Sequence, residues 1–299
     1  MNLSSSCPGP ALDFVKISDN YAQLTGLLAG FAFAALVMVL TRRREAQDES
    51  HRLPATDGRV ALALASAFFA LTIATLVYSV MGGEDLKIAR GRAATEELIA
   101  GLPFGLATIM LFYAIASLME LTLVGRGATL LARWTASIVV PALTMFYLVN
   151  GVGDTETARA LIYNNPVVVC NGSAPLPPLG IELSVALFLV MIAVVAVGAP
   201  SGPWRRLLQR LAAAAPWIVV GLSIVSAVAV GIVSTLDVDF LLSEDWVRNY
   251  LVGTFVTLLV IAVFLSTKPD ETVSATGPED LPAPRSSDIA HPHGARHSS

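Results

Sequence analysis

Charge is what this chain has least of. Of its 299 residues, 14% are Asp, Glu, Lys or Arg, against about 25% in an ordinary soluble domain. A deficit of that size leaves too little polar coat for a water-facing fold and points to a lipid environment. Lysine is scarcest: Lys16, Lys87 and Lys268 stand beside sixteen arginines. By composition alone, that bias suggests a bacterium with a GC-rich genome. Histidine occurs only at His51, His291, His293 and His297, outside every long apolar run. This excludes an intramembrane haem or zinc site of the usual kind, so no cofactor and no metal are expected. The chain lacks a GxSxG, a P-loop and a Ser/His pair of membrane-protease type, so no enzyme activity is expected either. A long basic run is also missing, which argues against a nucleic-acid partner.

Long apolar runs are what the chain has in plenty. From Tyr21 to Leu40 no residue is charged, and Arg42, Arg43 and Arg44 follow at once. At 1.5 Å per residue, some twenty helical residues cross a hydrocarbon core of roughly 30 Å. Arginines at a span end are held on the cytoplasmic side, so the first helix, near 21–41, runs from outside to inside. Six similar runs follow near 59–82, 98–123, 132–152, 180–199, 215–236 and 249–267.

The expected fold class is therefore all-α. It is a polytopic integral membrane protein with a seven transmembrane helix bundle over 21–267, N-terminus outside and C-terminus inside. An extracytoplasmic tail, 1–20, precedes it. A cytoplasmic tail, 268–299, follows it, and its Pro- and Ser-rich, aromatic-free composition predicts disorder. The expected location is a bacterial cell membrane, with the lipid bilayer as the first partner.

The remaining charges agree with that orientation. Lys16, Lys87, Arg90, Arg92, Arg159 and Arg248 fall on the outer side, and the other thirteen basic residues fall on the inner side. Acids collect outside, among them Glu96, Glu97, Asp154, Glu156, Asp237 and Asp239. Trp134, Trp204 and Trp217 mark inner span ends; Trp246, Tyr21, Tyr78, Tyr147 and Tyr250 mark outer ones. All are expected in the headgroup layer, where amphipathic rings settle. The plan resembles that of the rhodopsin-like proteins in topology alone. Those proteins hold retinal on a lysine of the last span, and 249–267 contains none.

Small residues recur every four positions at Ala22, Gly26, Gly30 and Ala34, at Gly101 and Gly105, and at Ser223, Ala227, Gly231 and Thr235. Such stripes let helix backbones approach closely. They serve packing within the bundle, or a membrane protein partner or second copy. Pro141 should kink the fourth span. Pro103 lies near the outer end of the third, and Pro216 starts the sixth, where proline is tolerated.

Few residues carry chemistry. Glu120 lies about one turn inside the inner end of the third span, on one side with Tyr113 and Ser117. It is the candidate transport or proton site, or else a partner for Arg126 or Arg133. Glu96, Glu97 and Glu182 suit the positive end of a helix dipole. Tyr147 and Asn150 are expected as packing or interface residues. Cys7 and Cys170 fall on the oxidising face and are the candidate disulfide. The expected role is a non-catalytic scaffold, sensor or accessory subunit. A small-solute or ion transporter or channel using Glu120 is the second reading.

Overall fold

The computed structural model describes residues 14–48, 55–83, 90–121, 126–163, 177–197 and 203–266. Among the described residues the secondary structure is helical, with no strand. The helices are α1 (Phe14–Asp48), α2 (Ala55–Gly82), α3 (Arg90–Leu121), α4 (Arg126–Trp134), α5 (Val140–Ile162), α6 (Pro178–Val197), α7 (Pro203–Val233) and α8 (Glu244–Ser266). A π-helical turn, Thr135–Val139, joins α4 to α5 without a break. Among the described residues, six helical stretches are long and apolar enough to cross a bilayer: α1, α2, α3, the α4–α5 rod, α7 and α8. The chain is thus built as a multi-pass membrane protein. The apolar helix α6 is shorter over its described side chains, Pro178–Val194.

Helix α3 is the centre of the bundle. It packs against α1, α2, α4, α5, α7 and α8. Its seam with α5 runs over Gly101 and Gly105. A Cβ on Gly101 would meet Leu148 Cδ2 at 2.7 Å and Tyr147 Cε1 at 2.8 Å, and one on Gly105 would overlap Thr144. The second small-residue pair therefore packs inside the bundle, as its spacing predicts. Around it, Leu64, Leu71, Leu106, Ile109, Met110 and Met145 are fully buried.

The first stripe divides differently. Helix α1 lies on the rim, packed mainly on α2. Thr25, Ala29 and Ala32 are its buried residues in this stretch, and Thr75 Oγ1 of α2 donates to Thr25 Oγ1 at 2.9 Å. Gly26 sits against Thr75, whereas Gly30 and Ala34 face outward. On α7, Ser223 is buried and Gly231 is exposed, as is Thr235 just beyond the helix end. Leu27, Phe31, Leu76, Phe146 and Val225 also point away from the bundle. These are side chains that a bilayer would cover.

The prolines sit deeper in helices than the apolar runs suggest. Pro216 does not start its helix: α7 begins at Pro203, which puts Pro216 in the interior. Pro103 is likewise inside α3. Polar turns extend both helices beyond their apolar spans, so span limits and helix limits differ. Pro141 follows directly on the π turn. Its ring cannot donate to the carbonyl four residues back, and a π turn is a common way for a helix to absorb such a break.

Cys7, Cys170, the tail 268–299 and the side chain of Trp204 lie outside the described residues.

Candidate functional site

The helices alternate in direction. The end at which α1 begins, called here the near end, also holds the start of α3 and α8 and the close of α2, α5 and α7. Four aromatic rings meet there, one from each of four helices. Tyr21 of α1 stacks on Tyr78 of α2 (centroids 5.3 Å apart, planes at 28°) and meets Tyr147 of α5 edge-on at 4.9 Å. Phe104 of α3 lies edge-on to Tyr21 at 5.9 Å and to Tyr147 at 6.1 Å. The Tyr78 and Tyr147 hydroxyls share a hydrogen bond of 3.0 Å. Edge and offset contacts of this kind are the favoured geometries of aromatic pairs.

These tyrosines correct an expectation. As headgroup-layer residues they should face lipid. Instead Tyr78 is wholly buried, and Tyr21 and Tyr147 are half-buried and turned on one another. Tyr250 also turns inward, donating to the Leu98 carbonyl at 2.9 Å. The tryptophans differ: Trp134, Trp217 and Trp246 are exposed, as an interfacial belt requires. A tyrosine at a span end can serve either purpose, and only the rotation of its helix decides.

Next to the rings is a cavity of about 400 Å³. Helix α1 lines it with Ile17, Asn20, Tyr21 and Leu24, which fall on one helical face by their three- and four-residue spacing. Helix α5 contributes Tyr147, Asn150 and Asp154, spaced in the same way, and α3 contributes Glu97. Asn20 is exposed, and Asn150 and Asp154 are half-buried, so the polar residues grade from the surface to the buried Glu97.

Glu97 is the unusual member. Its side chain is only 3% exposed, and its Oε2 has no hydrogen-bond partner among the described residues. A carboxylate inside a span costs up to roughly 2.5–3.5 kcal/mol at the bilayer centre and less toward an end, where Glu97 lies, and is rarely left there without a role. The helix dipole does not account for it: α3 begins at Arg90 and has no acid in its first turn, and the dipole's effect fades beyond that turn. Its neighbour Glu96 is also buried, but Ser234 Oγ of the α7–α8 connection donates to its Oε1 at 2.9 Å.

Two arginines tie the α7–α8 connection over this end. Arg92 Nη1 donates to the Leu236 carbonyl at 2.9 Å. Arg159 Nη2 donates to the Leu242 carbonyl at 2.6 Å, while its Nη1 pairs with Glu156 and lies 3.5 Å from Glu244.

Glu120 stands apart from all of this. It lies at the opposite, far end of α3, where Arg133 Nη2 donates to its Oε2 at 3.2 Å and Arg133 Nε faces its Oε1. Both side chains are about one-third exposed. Tyr113 and Ser117 are half-buried on the same helix, and Glu182 is exposed on α6.

Sequence reasoning therefore finds Glu97, Asp154, Tyr147 and Asn150 singly and does not join them. The available signal was the placing of polar and aromatic residues at 20 and 21 and, at helical spacing, at 147, 150 and 154 on otherwise apolar helices.

No family model, characterised protein or solved structure matches the chain.

Proposed function

We propose that this is a non-catalytic seven-span membrane protein, N-terminus outside, that binds a small solute at the outer end of its bundle. In that role it acts as a sensor or as the recognition subunit of a membrane complex. The observation that carries the reading is the buried Glu97 carboxyl, one oxygen of which has no hydrogen-bond partner among the described residues, lining a cavity at one end. Beneath the cavity the bundle is filled by Leu106, Ile109, Met110 and Met145. Its buried Thr144 hydroxyl is satisfied by its own helix. A one-sided cavity above an apolar floor suits recognition better than conduction.

Seven crossings rest on a geometric argument. Arg159, near the end of α5, bonds Leu242 in the short α7–α8 connection, just before α8 begins. This contact supports α5 and α7 ending on the same side, with α6 carrying the chain back across as the seventh span. The arginine asymmetry favours the near end as the outer one.

A transporter using Glu120 is the alternative. It has less support, because that carboxylate already has Arg133 as its counter-charge.

Two measurements test the reading. In a background with Cys7 and Cys170 replaced by serine, Asp239→Cys and Tyr163→Cys should react with an impermeant thiol reagent on intact cells, and Gly127→Cys should not. The reverse pattern, or Tyr163 and Asp239 on opposite sides, overturns the topology. Gentle purification at native expression with quantitative mass spectrometry should recover a stoichiometric partner or a bound solute. Solute flux through liposomes holding the protein alone, lost in Glu120→Gln, would instead favour the transporter.

A further inference from the structure

We propose that the cavity at the near end is a binding site for a small organic ammonium ion, with Glu97 as its principal counter-charge and Tyr21 and Tyr147 as its walls. This rests on the solute-binding reading above and names the ligand's class.

Four features of the site converge on that chemistry. The first is charge. Glu97 and Asp154 both line the cavity; among the described residues no Lys or Arg does, and one Glu97 oxygen lacks a hydrogen-bond partner. A buried carboxyl stays charged only beside a positive partner and otherwise takes up a proton, so a cation entering here would gain an ion pair that an anionic solute could not. The second is size. At about 400 Å³ the space is within the range of small-molecule sites and far exceeds what one metal ion fills. The described residues also contain no cluster of three or more metal-ligating side chains.

The third feature is the wall. Tyr21 and Tyr147 lie against one another beside the carboxyl, and tyrosine rings attract cations within about 6 Å of their centroids. Ile17 and Leu24 add apolar surface for an alkyl body. The fourth is the rim. The Asn20 and Asn150 amides offer carbonyl acceptors to ammonium N–H groups. Arg159 does not compete as an internal cation, because it is held by Glu156 and the Leu242 carbonyl.

The test uses the full-length protein in lipid nanodiscs. Titration calorimetry and saturation-transfer NMR are run with n-butylamine and tetramethylammonium, and with n-butanol, butyrate and calcium chloride as size- and charge-matched controls. At least one amine should bind saturably and the controls at least tenfold more weakly. Glu97→Gln should weaken the amine tenfold or more, Asp154→Asn several-fold, and Glu120→Gln not at all. Leu24→Trp, which fills the cavity and leaves its charge, should also abolish binding and guards against a Glu97 variant that fails to fold.

Amine binding unchanged in folded Glu97→Gln and Leu24→Trp overturns the proposal. So does binding of calcium alone. If butanol or butyrate binds in a Leu24→Trp-sensitive way and the amines do not, the ammonium class falls while the solute-binding reading stands. If no probe binds, both fall.

Discussion

The hydroxyls of Tyr78 and Tyr147 lie 3.0 Å apart and bridge α2 to α5 at the floor of the four-ring cluster. Tyr78 is wholly buried, whereas Tyr147 reaches the cavity. The same bond thus belongs both to the packing of the bundle and to the wall of the site. Tyr78→Phe should cost about 1 kcal/mol, the usual net worth of one hydrogen bond. Tyr147→Phe should cost somewhat more, because it leaves the buried Tyr78 hydroxyl unpaired. Unfolding in mixed micelles measures both, and the double variant should cost less than the sum of the two. Strict additivity would show that the hydroxyls do not interact.

The α3–α5 seam has no room for a methyl group at Gly105. Gly105→Ala should destabilise by about 1–3 kcal/mol, the range for overpacking. Thr144→Ala should restore part of the loss, since the overlap is with that side chain. Gly30→Ala, where a Cβ meets nothing within 4 Å, should be neutral or slightly stabilising in a helix. Equal effects at the two glycines would argue against this seam.

Arg159 joins the end of α5 to the α7–α8 connection through the Leu242 carbonyl and Glu244. Arg159→Ala should release that connection and raise its cleavage by an added protease several-fold. Arg159→Lys should rescue little, because a single ammonium cannot reproduce the guanidinium fork. Full rescue by lysine would reduce the contact to simple charge.

The Glu120–Arg133 pair is about one-third exposed on both sides. Pairs with that much solvent are worth about 1 kcal/mol or less. Glu120→Gln should therefore shift stability by no more than that, and Arg133→Ala should do much the same. A loss of several kcal/mol in either would mean that the carboxylate is far less solvated than its exposure indicates.

Much of this protein is legible along the chain. An uncharged run such as Tyr21–Leu40 has to be satisfied by lipid or by other apolar helices, and its length alone makes it a span candidate. The arginine bias and the exposed tryptophans are equally one-dimensional signals. Pro141 announces a break in its helix by its missing N–H, although not that a π turn precedes it, and Gly101 and Gly105 announce a close approach by their spacing.

The site was not legible in this way, and the reason is physical. In a bilayer the outer face of a helix is as apolar as its inner face, so hydrophobic periodicity cannot say how each helix is rotated. Tyr21, Tyr78 and Tyr147 at span ends are chemically as suited to headgroups as to a core. Glu97 and Asp154, 57 residues apart and on different helices, look like ordinary outer acids. The sequence by itself determined the spans, through length, charge and the cost of exposing a peptide group to lipid. Only the tertiary structure decided which way each helix turns, through the packing of α3 against its neighbours. That choice brings the tyrosines and the buried carboxyl to one cavity.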